Sequence, residues 1–341
     1  MEFLAGSEKR FFEFISSIED KDKVALLTHN DGDGVVSAAI VSKVVGKTEY
    51  IDFLYYNPDM LKPFVENLKK MKINKIIITD LSVDNELESI KELEKFANIL
   101  IIDHHESRKD LNSVRTVFMR VPTEYPAAYV CYTLFSKIQK IPEWLAALGI
   151  LSDKTHRYRK ENAEQVFPDF SIKGKGNLFD TVMNLSMAMV YFKGKEKKIY
   201  DMLMKSKSPE ELSSLEKYRK AIEKELSSYM KDYESNKEEF KDLIIYKFKP
   251  KHSITSILVN LISVKDANKT FIFIAEIDSE LHISARRQDG KVDCVRFLQE
   301  SIKGIPNSTA GGHKPAAGAR VPAEHFRKFK ENLIRVYSML Q

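Results

Sequence analysis

Residues 103–105 read Asp103-His104-His105 and follow an apolar run, Ile99-Leu100-Ile101-Ile102. Imidazoles beside carboxylates form a donor set suited to a divalent metal ion. Two more segments of this kind lie upstream. His29-Asn30-Asp31-Gly32-Asp33-Gly34 closes the apolar run at 24–27, and Asp80 closes Ile76-Ile77-Ile78-Thr79. Short Val/Ile/Leu-rich runs are the mark of strands buried in a parallel sheet. Ligands of open α/β sheets gather beyond the carboxyl ends of such strands. Three strands that deliver Asp or His to one edge predict a shared metal centre that performs hydrolysis.

Each segment has a competing explanation. His29-x-Asp31-x-Asp33-Gly34 superficially resembles a calcium loop, but the twelfth position, where an EF-hand needs a bidentate Glu, is Ile40. A phosphate-binding P-loop needs Gly-Lys-Ser/Thr, and none follows Gly34. The glycines instead allow a tight turn that aims His29, Asp31 and Asp33 into one crevice. Asp80 alone reads more readily as a turn or cap residue than as a ligand, with Ser82 competing for that role. Adjacent buried histidines would carry a desolvation cost without a partner, and Asp103 supplies one. Asp153, after Ile150-Leu151-Ser152, also fits a helix end, and its case rests on the other carboxylates.

The elements that must position these residues follow from periodicity. Residues 1–22 predict an amphipathic helix with Phe11, Phe12, Phe14 and Ile15 inward. Strands then alternate with helices at 35–45, 60–71, 86–96, 126–137 and 144–151, the pattern of βαβ units around a mostly parallel sheet. Residues 178–205 read as helical. Ser208, Pro209 and Glu211 form a capping-box start for a helix to about residue 236. Beyond it come a strand at 243–248, a helix at 252–264, paired strands at 270–277 and 281–285, a helix at 292–302, a glycine-rich loop at 311–313 and a last helix at 322–340. The predicted class is α/β: a mostly parallel sheet flanked by helices over 1–205, a helical linker over 206–240, and a smaller α/β domain over 241–341.

Composition excludes several classes. The chain has 341 residues, 43% hydrophobic and 30% charged, enough for two globular domains. No apolar run is long enough to span a membrane, and the N-terminus lacks the pattern of a secretory signal. Cys131 and Cys294, the two cysteines, offer neither a disulfide framework nor zinc spacing and suit reduced thiols in the cytoplasm. Charge is uneven: 17 basic and 10 acidic side chains lie from Lys241 onward, against 37 and 39 before it. An acidic, metal-binding half joined to a basic half suits a polyanionic substrate.

In order, His29-x-Asp31-x-Asp33-Gly34, Asp80, Asp103-His104-His105 and Asp153 resemble the motifs of the DHH phosphoesterases. That superfamily includes RecJ-type exonucleases, nanoRNases, cyclic-dinucleotide phosphodiesterases and family II pyrophosphatases. The C-terminal half resembles its DHH-associated domain through Ser284-Ala285-Arg286 and Ala310-Gly311-Gly312-His313-Lys314-Pro315. Ala310 stands where a third glycine is common. The resemblance implies two divalent ions, usually Mn²⁺ with Mg²⁺ as the alternative: His29 and Asp31 on one, Asp33, His104 and Asp153 on the other, and Asp80 bridging. Four carboxylates offset two divalent charges, and harder N and O donors suit Mn²⁺. The resemblance further implies that Asp103 orients a histidine, that His105 meets the scissile phosphate, and that Arg286, Gly311, Gly312 and His313 hold substrate, with Arg286 and His313 also serving catalysis.

Three functions compete. The leading one is end-directed hydrolysis of single-stranded DNA or RNA by a metal-activated water. The second is cleavage of very short substrates such as dinucleotides, cyclic dinucleotides or 3′-phosphoadenosine 5′-phosphate. The third is a non-catalytic scaffold among replication or repair proteins, for which six intact ligands would be unnecessary. Tyr55, Tyr56, Tyr125 and Tyr129 fit either base stacking or packing. Arg287, Lys314 and Arg320 fit backbone contacts or a solvated surface.

Overall fold

The computed structural model describes residues 2–57, 59–107, 109–154 and 178–340. The chain forms two compact units, Met1–Arg219 and Lys220–Gln341. The first is built on five strands: β1 (Val24–His29), β2 (Tyr50–Leu54), β3 (Lys75–Thr79), β4 (Asn98–Asp103) and β5 (Thr116–Arg120). Their order is β2-β1-β3-β4-β5 and every pairing is parallel. The chain steps outward from β1 to β2 and then crosses to the far side of β1. That reversal opens a crevice at the carboxyl ends of β1 and β3.

Strand residues alternate between two cores. Val24, Leu26, Ile77, Leu100, Ile102, Val117 and Met119 face one; Ala25, Leu27, Ile76, Ile78, Ile99, Ile101 and Phe118 face the other. Both faces are covered, which is why the runs are continuously apolar rather than alternating. A fully buried Leu or Ile contributes about 1.5–3 kcal/mol, so the strands hold the edge residues on a stiff base. The first core also takes in α1 (Glu8–Ser16), α2 (Gly32–Val45), α5 (Ala127–Phe135) and α6 (Glu143–Lys154); the second takes in residues of α3 (Lys62–Lys70) and α4 (Leu87–Glu94). Next come α7 (Leu178–Tyr191) and α8 (Lys197–Lys205), parted near Gly194, whose φ of 79° suits glycine.

The second unit carries six strands: β6 (Glu238–Phe240), β7 (Leu243–Phe248), β8 (Thr270–Ile277), β9 (Glu280–Arg286), β10 (Thr309–His313) and β11 (Ala316–Pro322). The order is β10-β11-β9-β8-β7-β6, antiparallel except for β7 with β8. Helices α9 (Glu216–Asn236), α10 (Thr255–Ser263), α11 (Cys294–Ser301) and α12 (Phe326–Leu340) complete the described elements.

Four local expectations are corrected. The first helix is confined to Glu8–Ser16, where Ser7 accepts the Arg10 N–H as N-cap. The helix expected from Pro209 begins as a 3₁₀ segment, Pro209–Leu215, before α9. Ser208 makes no capping bond there, because Glu211 accepts the Lys207 N–H instead of closing the box. Residues 311–313 lie on a strand, not a loop: Gly311 pairs with Gly318, Gly312 with Ala317 and His313 with Ala316. The close approach is possible because a Cβ on Gly312 would stand 2.8 Å from Ala317 Cα. Gly34 and Gly32 belong to the first turn of α2 and not to a preceding loop.

Candidate metal centre

The site begins where β1 runs into α2. Asp31 is the N-cap of α2, and its Oδ1 accepts the Gly34 N–H at 3.0 Å. A Cβ on Gly34 would lie 2.2 Å from the His29 carbonyl oxygen, so this turn closes only around glycine. Asp33, in the first turn, is 1% exposed and turns away from the turn toward α5. Its Oδ2 and Oδ1 accept the Ala127 and Ala128 N–H groups at 2.7 and 2.8 Å. A helix N-terminus thus carries part of the buried charge of Asp33.

Helix α6 reaches the same place through close packing. A Cβ on Gly149 would lie 2.3 Å from Ala128 Cβ and 3.0 Å from Val36 Cγ1. A Cβ on Gly32 would lie 2.5 Å from Ser152 Cβ. These missing methyl groups let α6 settle on α2 and α5, and they bring Asp153 beside Asp33 and His104.

Strands β3 and β4 supply the remainder. Asp80 follows β3 with φ 57°, a left-handed conformation uncommon for a non-glycine residue, and is 1% exposed. Such a conformation costs about 1–3 kcal/mol and persists where the surroundings enforce it. The Asp80 N–H donates to the Ile102 carbonyl at 2.9 Å, fixing the bend against β4. Beneath it, Thr79 Oγ1 donates to Thr28 Oγ1 at 2.8 Å, and Thr28 Oγ1 donates to the Gly34 carbonyl at 2.9 Å. At the end of β4, Asp103 Oδ1 lies 2.7 Å from His105 Nδ1, while His104 Nδ1 lies 3.1 Å from the Thr123 carbonyl. Asp103 is thus the partner of His105, and the backbone orients His104.

Three groups of potential ligand atoms converge, each with its atoms within 4.8 Å of one another: His29, Asp31 and Asp80; Asp33, His104 and Asp153; and Asp80, His104 and His105. His29 Nδ1 is 3.1 Å from Asp31 Oδ2 and 3.6 Å from Asp80 Oδ2. His104 Nε2 is 3.3 Å from Asp80 Oδ1 and 3.9 Å from Asp33 Oδ2. Asp80 stands between the first two groups, one oxygen toward each. His29 Nδ1 and Asp80 Oδ2 are buried in close ionic contact, but neither makes a well-aligned hydrogen bond. A buried polar atom without such a bond costs about 1–3 kcal/mol, a cost that a bound cation removes. The residues therefore fit divalent metal: four carboxylates and two imidazoles, no thiolate, and lone pairs aimed inward.

Electrostatics show the strain of the cluster. Burial pushes the Asp33 carboxyl well above its usual range, and the charge of Asp80 adds to this. Burial and then the charge of Asp31 raise Asp80 to about 8. Burial would lower His29, but the close carboxylates of Asp31 and Asp80 prevail and raise it to about 10. Asp31 moves the other way, to about 2, because His29 outweighs the cost of its burial. His105 is raised by Asp103 against its own burial.

Of the four tyrosines that the sequence singles out, one lies at the site. The Tyr56 ring packs on His29 with centroids 4.6 Å apart, and its hydroxyl lies 3.3 Å from His105 Nε2. Tyr55 is taken up elsewhere, donating to Glu196 at 2.5 Å, and Tyr125 stacks on Tyr129. In the second unit, register places Arg286 of β9, Ala316 of β11 and His313 of β10 in one row. Two strand spacings put Arg286 and His313 about 10 Å apart. Arg286 Nε donates to Asn260 Oδ1 at 2.6 Å, and Nη1 to the Ala285 carbonyl at 2.8 Å. Arg287 is buried in ion pairs with Asp242 and Asp289, each 2.7 Å, so it is neither a solvated residue nor a backbone contact. Arg320 is paired with Glu280.

This sheet and cluster are those of a two-domain α/β phosphoesterase class. The N-terminal domain model of the DHH family matches residues 23–152, and the DHHA1 domain model matches residues 241–339. The chain belongs to the DHH family, with a DHH-associated C-terminal domain. No curated protein matches it in sequence. Among solved structures it is similar to an exonuclease RecJ bound to manganese, with a TM-score of 0.73, 14% identity, and coverage of 100% of this chain and 95% of that one. RecJ from Thermus thermophilus in complex with Mn²⁺ gives a TM-score of 0.67 at 14% identity over 97% of this chain. This chain spans only 54% of that protein, which is also known with Mg²⁺. CDC45 from Entamoeba histolytica gives a TM-score of 0.57 at 11% identity, covering 97% of this chain and 98% of that one. These likenesses establish the fold. Among the described residues, no helix is long and apolar enough to cross a membrane.

Proposed function

We propose that the chain is a metal-dependent phosphodiesterase that hydrolyses single-stranded DNA or RNA from an end. The observation that carries this is the pair of ligand groups meeting at Asp80, with His29 Nδ1 and Asp80 Oδ2 buried and without a well-aligned hydrogen bond. In this reading His29 and Asp31 hold one ion, Asp33, His104 and Asp153 the other, and Asp80 both, with Mn²⁺ or Mg²⁺ as the metal. When bound, such a pair supplies the charge that activates water and draws charge from the scissile phosphate. Asp103 holds His105 through Nδ1, so that Nε2 meets a phosphate or leaving oxygen, and the same carboxylate favours the protonated ring that would donate there. Residues 1–205 act as the catalytic domain, 206–240 as linker and 241–341 as the substrate-holding domain. Within the last, Arg286 clamps a phosphate, and Gly311, Gly312 and His313 offer hydrogen-bond donors on an exposed strand.

The net charge of +7 from Lys241 onward favours a polymer over a dinucleotide. The likeness to CDC45 raises the scaffold reading, and the complete ligand set weighs against it. The test is incubation with Mn²⁺ of an end-labelled single strand of about 20 nucleotides beside a labelled dinucleotide. Progressive shortening of the strand supports the reading, and the label released first sets polarity. Cleavage of the dinucleotide alone moves the enzyme to short substrates. No cleavage of either, by protein shown to bind Mn²⁺, refutes the enzymatic reading.

A further inference from the structure

The sheet edge opposite the metal centre carries a second cluster. Lys75 opens β3 and is 6% exposed, although lysine is almost never fully buried without a charge partner. Its ammonium donates to Ser17 Oγ at 2.6 Å and sits 5.4 Å over the Phe14 ring. Among the described residues it has no ion pair, and Ser17 uses one of its three N–H donors. The register sets Lys75 beside Asn98, the first residue of β4, and the Ile99 N–H donates to the Arg115 carbonyl just before β5. Three adjacent strands thus present an ammonium, a carboxamide and a guanidinium at one edge.

These groups line a polar cavity of about 310 Å³. The carboxylates beside it are already engaged. Asp22 accepts from Asn74 Nδ2 at 2.7 Å and from the Glu19 N–H at 3.0 Å, while Glu19 pairs with Lys21 at 2.6 Å. Neither Arg115 nor Asn98 has a side-chain partner among the described residues. Each uncommitted group therefore offers N–H donors, and two of the three are cationic. Lys75 lies five residues before Asp80 on the same strand, about 17 Å away.

We infer that Lys75, Asn98 and Arg115 form a phosphate-binding site separate from the metal centre. A tetrahedral phosphate offers three or more acceptor oxygens to three donors on neighbouring strands, and it would add a close ion pair to a buried ammonium whose nearby carboxylate, Asp22, acts on it only at longer range. The phosphate belongs either to a small phosphomonoester, such as a mononucleotide, or to the backbone of a nucleic-acid strand.

The test is thermal unfolding of the full chain in EDTA, with inorganic phosphate, a mononucleotide or a single-stranded oligonucleotide. Without metal, the carboxylate cluster repels phosphate, and the measurement is made in an Arg286→Ala background to remove the clamp proposed in the second unit, so that stabilisation lost in the Lys75 and Arg115 variants reports the other edge. At ten times the dissociation constant, a rise of about 3–6 °C is expected. The rise should vanish in Lys75→Met, which keeps an apolar stem, and in Arg115→Ala, an exposed position where folding is not at stake. A response to phosphate and mononucleotide identifies the monoester as ligand; a response to the oligonucleotide alone identifies the strand. No shift with any probe, or an undiminished shift in Arg115→Ala, overturns the assignment.

Discussion

Replacing Asp80 by Asn should stabilise the metal-free protein and remove most of its response to metal. Asp80 is 1% exposed, and its Oδ2 makes no well-aligned hydrogen bond. Its pKa is raised from 3.8 to about 8. At about 1.4 kcal/mol per unit, that displacement caps the folding cost of the charge at about 6 kcal/mol above both values. Asp31 and Asp33 share the cost and His29 offsets part of it, so one substitution should recover about 2 kcal/mol. For a unit of this size, that corresponds to a rise of about 4–8 °C in Tm. Asn also tolerates the left-handed backbone that Asp80 adopts, so the turn need not change. With Mn²⁺ at 100 times its dissociation constant, the wild-type chain should gain about 2.7 kcal/mol per site. The variant loses a ligand of both groups and should gain far less. Differential scanning calorimetry in EDTA and in Mn²⁺ would then show the two curves exchanging order. A variant less stable than wild type in EDTA, or one with an undiminished Mn²⁺ response, would refute the assignment of Asp80 as a strained metal ligand.

Metal-free stability should fall as pH rises from 6 to 8. Asp33 and Asp80 have folded pKa values above their unfolded ones, so stability is lost as they ionise, up to about 8 for Asp80. His29 acts in the same direction, its contribution being complete below 6.5 and lost toward about 10. Asp31, lowered to about 2, loses its contribution only in acid. Tm in EDTA that is flat or rising over this range would contradict the charge assignment. Gly149→Ala should cost about 1–3 kcal/mol by overpacking and weaken Mn²⁺ binding by displacing Asp153; calorimetric titration showing unchanged affinity would exclude a positioning role for the helix contact. Arg286→Ala should raise KM for a single strand with kcat nearly constant, and Arg286→Lys should restore little of the loss because a bidentate fork is required. Equal falls in kcat and kcat/KM would place that contact in the transition state alone.

The three strands that end in Asp or His are legible because each is an unbroken apolar run, and burial on both sheet faces demands such runs. β2 is less so: Asp52 interrupts Tyr50–Leu54, and only Phe53 and Leu54 are buried. Local rules fail where a distant partner intervenes. Glu211 matches the capping-box spacing, yet the Lys207 N–H claims its carboxylate. The glycines at 311 and 312 suggest a loop by composition, whereas pairing with β11 makes them a strand. Asp80 stands out by type, but its left-handed backbone depends on the bond to Ile102 across the sheet. The role of Gly149 is invisible in sequence because it arises only where three helices cross.

The ligand groups draw on residues as far apart as His29 and Asp153, joined by the packing of α6 on α2 and α5. No shorter stretch holds both groups, so under the proposed assignment a growing chain would gain its full metal affinity only after residue 153 has been made and α6 has docked. On the proposed reading, metal capture would come late in biogenesis. Molecules completed while divalent ions are scarce would keep their charges uncompensated and remain preferred targets for proteases until the ions arrive.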